Sequence, residues 1–111
     1  MEINLINLFD FLHKVKKKPH LYLENKKNLS ELYYLMEGFS IAYIYIGCER
    51  ASGIIPNFDE WIHKKYNNKS VCSWKNVLLK KSKSEEKAFD LFFEELEAFL
   101  KENNIEIPEI K

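Results

Sequence analysis

An all-α, single-domain bundle of about five helices around a buried central helix is what the sequence predicts, and three observations carry that prediction. Apolar residues recur at intervals of three and four in most segments, the period of a helix with one buried face. Cap residues and breakers divide these segments at helical lengths, and no alternating run finds a second to pair with as a sheet. The third observation is size: 111 residues and 13.3 kDa, 46% hydrophobic, make a single core with no linker, repeat or low-complexity stretch. At this length folding removes roughly 65% of the unfolded chain's surface from water, so a Leu, Ile and Phe core holds the fold without a disulfide framework or structural metal.

The first helix is expected over about residues 3–17, where Ile3, Ile6, Leu8, Phe9, Phe11, Leu12 and Val15 form the stripe. Pro19 closes it, since proline lacks the amide a helix interior needs. A polar loop follows to Lys27, with Leu21, Tyr22 and Leu23 as an apolar clasp. Asn28 with Glu31 three residues later starts the second helix, which runs to about Ile46. Its first half has one stripe, Leu29, Leu32, Tyr33, Met36 and Phe39; from Phe39 to Ile46 nearly every direction is apolar, which predicts burial on several sides.

Gly47, Gly53 and Pro56 interrupt the pattern, and Asn57 with Glu60 repeats the cap signature. Pro56 and Trp61 stand where a hydrophobic staple forms, at the head of a short helix carrying Phe58, Trp61, Ile62 and Tyr66. Residues 67–70 read as a turn, and Ser73 as the cap of a helix through Trp74, Val77 and Leu78 to about Lys81. Ser82-Lys83-Ser84-Glu85 reads as a capping box. The clearest stripe follows: Ala88, Phe89, Phe92, Leu96, Phe99 and Leu100, ending at Asn103-Asn104 before an extended or frayed tail.

The 17 basic and 17 acidic residues cancel, which removes the electrostatic warrant for a chain that is wholly a nucleic-acid or membrane-surface binder. The charge is nevertheless divided. Residues 1–83 hold 14 basic and 8 acidic groups, net +6, and residues 84–111 hold 3 and 9, net −6. Cys48 and Cys72, widely spaced and in apolar surroundings, read as reduced core thiols of a cytoplasmic protein. The N-terminal sequence has no basic start or small-residue cleavage site, and Phe39–Gly47 is about half the roughly 20 residues a membrane span needs.

His13, His20 and His63 lie in separate segments without a second ligand one turn away, and neither cysteine belongs to a C-x-x-C pair, so no metal and no cofactor is expected. The chain has no G-x-S-x-G and no glycine-rich phosphate loop, and a non-enzymatic protein is expected. Lys14, Lys16, Lys17, Lys18, Lys26 and Lys27, with His20 and Tyr22 between them, are the candidates for a nucleic-acid patch. They include no arginine, the best phosphate fork, and read as solvated helix ends. On the last helix the face opposite the stripe carries Glu86, Lys87, Asp90, Glu94, Glu97 and Lys101. Such a face is ordinarily solvated. Its sharper reading is an acidic surface, Glu86, Asp90, Glu94 and Glu97, that docks a basic partner.

The order "KKKPHLYLENKKNLSELYYLMEGFSIAY", "IPNFDEWIHKKY", "SWKNVLL" and "SEEKAFDLFFEELEAFL" resembles small helical bacterial immunity proteins of polymorphic toxin and contact-dependent growth inhibition systems. The shared features are a proline-x-hydrophobic-tyrosine-hydrophobic loop before a helix, an "IP-x-F-x-x-W" segment and an acidic, Phe-rich last helix, over residues 14 to about 102. The resemblance implies an inhibitor that binds one cognate toxin domain and blocks its active or substrate-binding site. Where the toxin is a nuclease, an acidic face would fill the basic cleft that holds phosphates. The loop before the second helix also echoes type II topoisomerase ATPase subunits, but Ile41 stands where that family places its metal-binding Asn, one turn after Glu37. The alternative to an immunity protein is a small nucleic-acid-binding or regulatory adaptor module.

Overall fold

A computed structural model describes residues 5–45 and 55–105. Five helices follow one another: α1 (Leu5–Lys17), α2 (Leu29–Tyr45), α3 (Phe58–Lys65), α4 (Trp74–Ser82) and α5 (Glu85–Glu102), with a 3-10 turn at Pro19–Leu21 after α1. No strand occurs among the described residues. The expectations for Ile3, Ile46, Gly47, Cys48, Gly53 and the tail beyond Ile105 lie outside them, as does the side-chain placement of Ile6.

Local chemistry explains most of the boundaries. The Asn28 side chain accepts the Glu31 amide (3.0 Å), satisfying one of the donors a helix start leaves open. Ser73 accepts the Asn76 amide at the head of α4, and Ser84 the Lys87 amide at the head of α5. The cap of α5 is therefore Ser84 and not Ser82, which is the last residue of α4. Lys83, in the left-handed region at φ 65°, makes the sharp exit between the two helices. Asn57 also departs from expectation. It stands at the N-cap of α3 with φ 68° and makes no side-chain cap bond, so its backbone conformation turns the chain.

The centre belongs to α5, which packs against α2, α3 and α4. Ala88, Phe89, Phe92, Phe93, Leu96 and Phe99 are buried along it. Phe92 is stacked on Trp74 (centroids 4.9 Å) and meets Phe58 edge-on (5.8 Å); Phe99 meets Phe58 and Trp61 edge-on. Each such pair adds about 0.5–1.5 kcal/mol beyond the burial of its area. From α1 come Leu8, Phe9, Leu12 and Val15, with Phe11 against Tyr22 and Phe39.

Two expectations about apolar residues are corrected. Of the clasp, Leu23 is buried, but Leu21 is exposed and Tyr22 rests on Phe11 while remaining open to solvent. The all-round burial expected from Phe39 to Ile46 is not found: Ser40 is buried and Phe39 half-buried, while Ile41 is 47% exposed, Ala42 exposed and Tyr45 86% exposed. Apolar composition permits burial on every side, but burial needs a neighbour on every side.

Candidate functional site

Glu86, Asp90, Glu94 and Glu97 are all exposed, and their spacing of four, four and three places them in a row about 16 Å long on the outside of α5. The helix beneath them is held by its apolar face and by polar pins. Ser30 donates to Glu85 (2.9 Å) at one end and the Trp61 indole N–H to Glu102 (3.0 Å) at the other. Two of the four carboxylates carry a lysine: Lys27 Nζ lies 3.2 Å from Asp90, and Lys101 Nζ 3.3 Å from Glu97. Both pairs are solvent-exposed and contribute about 0–1 kcal/mol. Shallow hollows flank the row, one lined by Pro19, Lys26, Lys27 and Glu86 and one by Lys81, Lys87, Asp90 and Glu94.

A fifth acid on α5 has a different fate. Glu95 is buried, and Lys65 Nζ straddles its carboxylate at 2.9 Å from Oε1 and 2.8 Å from Oε2, with only the first aligned as a hydrogen bond. Lys65 also lies over the Trp61 ring (5.0 Å). Burial, with Glu95 alongside, pushes the Tyr66 phenol above its ordinary range.

The basic stretch is partly engaged with the fold. Lys14 pairs with Asp10 (3.2 Å), Lys16 lies over the Phe93 ring (5.7 Å) and Lys27 holds Asp90, while Lys17, Lys18 and Lys26 are exposed. On α2, Tyr34 (64% exposed), Leu35, Ile41 and Tyr45 form an apolar stripe with Gly38 between them, and Lys75 lies 5.0 Å over the Tyr34 ring. The sequence shows these residues as apolar; only the packing shows them open to solvent.

A further group, not seen in the sequence, forms where the loop after α3 returns to the start of α4. Asp59 and His63 are one turn apart on α3, so the expectation that His63 has no potential ligand at that spacing is corrected, and Cys72 comes back over them. The Asp59 carbonyl lies 2.8 Å from His63 Nδ1. A carbonyl can only accept, so Nδ1 carries the proton and leaves Nε2 free to accept. Cys72 Sγ lies 3.9 Å from that Nε2, and Ser70 Oγ is 3.4 Å from the same sulfur. The Asp59 carboxylate is 3.7 Å from Nδ1 and accepts the Trp74 amide (2.9 Å). The Ser70 hydroxyl and then His63 hold the Cys72 thiol below its usual value; the bond to the Asp59 carbonyl and then Cys72 hold His63 above its own. Cys72 is a free thiol at the edge of the core rather than within it. The i, i+4 spacing of Asp59 and His63 was the signal in the sequence, but Cys72 joins them only through the loop.

Among the described residues no cluster of three or more His, Cys, Asp or Glu is placed to hold a metal ion, and no helix is long and apolar enough to cross a membrane. Comparison with protein-family models, curated proteins and solved structures finds no match to the chain.

Proposed function

We propose that the protein is an immunity-type inhibitor that binds a cognate toxin domain through α5 and covers its active or substrate-binding site. The observation that carries this reading is the exposed row of Glu86, Asp90, Glu94 and Glu97 on a helix whose opposite face is fixed in the core. A preorganised anionic edge loses little freedom on docking and attracts a basic surface at long range. Lys27 and Lys101 do not prevent this, since exposed pairs exchange partners at small cost. The bacterial immunity proteins that the sequence resembles supply the class of partner, and a cytoplasmic site of action goes with it.

The test is co-expression with the product of the gene immediately upstream, with binding measured at two salt concentrations. Glu86→Lys with Glu94→Lys is the informative pair, because Asp90 and Glu97 already carry lysines. The double variant should slow association severalfold and lose growth rescue, with a helix content unchanged by circular dichroism because Lys is a good helix former. Full rescue with unchanged association would remove α5 as the interface. The exposed stripe Tyr34, Leu35, Ile41 and Tyr45 favours a second reading, an apolar contact with the same partner, since tyrosines are enriched in protein interfaces. Tyr34→Ser with Tyr45→Ser would then abolish rescue where the α5 variant does not.

A further inference from the structure

The His63 and Cys72 pair invites comparison with two chemistries, and the backbone around it separates them. Acyl transfer by a cysteine requires unspent N–H donors beside the sulfur to receive the oxyanion. Here the amide of Cys72 itself is spent on the Ser70 carbonyl (3.1 Å) and that of Trp74 on Asp59 (2.9 Å), so the nucleophile's own N–H is not offered to an oxyanion. Attack on a disulfide needs no such donors. It requires a thiolate, a group that holds it in that form, and an open approach. His63 Nε2 faces the sulfur, with Nδ1 fixed by the Asp59 carbonyl, and Ser70 and Val71 beside Cys72 are exposed.

We propose that Cys72 is a reactive thiol activated by His63, and that it forms mixed disulfides with low-molecular-weight disulfides of the glutathione class. In the step, the Cys72 thiol gives its proton to His63 Nε2 and Sγ attacks one sulfur of glutathione disulfide. A bond forms between Cys72 and that sulfur, the original S–S bond breaks, and the second glutathione leaves as a thiolate. Cys72 is oxidised and one glutathione is reduced, so no other oxidant is needed. Ser70 lies beside the sulfur but its hydroxyl proton goes to Asn68, so His63 is the group that supports the thiolate, while the Asp59 carboxylate on α3 opposes the thiolate and favours the charged imidazole. This inference stands apart from the docking role of α5.

The experiment uses the full chain with Cys48→Ser, which leaves Cys72 as the single thiol. Its reaction with 5,5′-dithiobis(2-nitrobenzoate) is followed from pH 5 to 9, and intact mass is measured after exposure to glutathione disulfide. At pH 6 Cys72 should react about tenfold faster than free cysteine, with a rate that levels off at lower pH than that of free cysteine and a single glutathionyl adduct. In His63→Gln the rate at pH 6 should fall to that of free cysteine and climb about tenfold per pH unit, as for an ordinary thiol. Should that variant fail to fold, the parent's pH profile decides alone. A parent rate no faster than free cysteine at pH 6, or a fast, flat profile that survives His63→Gln, would overturn the proposal.

Discussion

Ser40 shows how much one polar atom can matter inside this bundle. Its hydroxyl is fully buried on α2 and has no hydrogen-bond partner among the described residues, so it has given up water without replacement. Such an atom costs about 1–3 kcal/mol, and Ala is also the better helix former. Ser40→Ala is expected to stabilise the protein by about 1 kcal/mol, read as a higher urea midpoint with an unchanged denaturant slope. A lower midpoint would mean that the hydroxyl is satisfied in solution. Glu95 is the contrasting case, a buried carboxylate kept by a lysine 30 residues earlier. Its spacing marks the position: three residues after Phe92 and four before Phe99, it falls on the inward face, whereas Glu94 falls on the outer one, and what the approach of α3 adds is the lysine that pairs it.

Element by element, the helix starts are chemical and local, and those at Asn28 and Ser73 were legible in the sequence. Glu31 illustrates where that legibility ends. It stands in the first turn of α2, and its carboxylate turns back to the preceding loop, accepting the Glu24 and Asn25 amides (2.8 and 3.2 Å) and the Asn25 side chain (2.9 Å). These bonds, the Asn25 side chain foremost, hold its carboxyl below the ordinary value of 4.5. A depressed carboxyl pKa gives stability that is present above the unfolded value and is lost as pH falls through the folded one. Glu31→Ala should therefore speed amide exchange at Glu24 and Asn25 at neutral pH, with the difference from wild type shrinking below about pH 4.5. Equal protection in both proteins at pH 7 would show that the loop is held by other contacts.

The whole molecule depends on one aromatic centre. Phe92 is fully buried between Trp74, Phe58 and Phe93, contacts that join α3, α4 and α5. Phe92→Ala should cost about 3–5 kcal/mol, a large share of the 5–15 kcal/mol that a domain of this kind has in total. Denaturant titration checks this, and a loss below about 1 kcal/mol would mean that the neighbouring rings close the cavity. At the same scale the division of charge along the chain becomes a division of surfaces joined at a seam. Lys27 and Lys65, from the net-positive first 83 residues, bind Asp90 and Glu95 in the net-negative remainder.

What the sequence determined by itself is the set of helices and most of their inward faces. Leu8, Leu12 and Val15 on α1, Leu29, Leu32 and Met36 on α2, and Phe89, Phe92 and Phe99 on α5 are buried as their spacing requires. Helical hydrogen bonds close within four residues and the stripe repeats every 3.6, so this information is contained in short stretches of chain. The tertiary structure decided which apolar surface finds a cover and which distant polar groups meet. Ile41 and Tyr45 are as apolar as the core yet stay open; Glu95 is charged yet buried; Cys72 reaches His63 only because the loop after α3 returns across it. These outcomes depend on how helices pack against one another, and local periodicity fixes the face that a helix offers without fixing the neighbour that it receives.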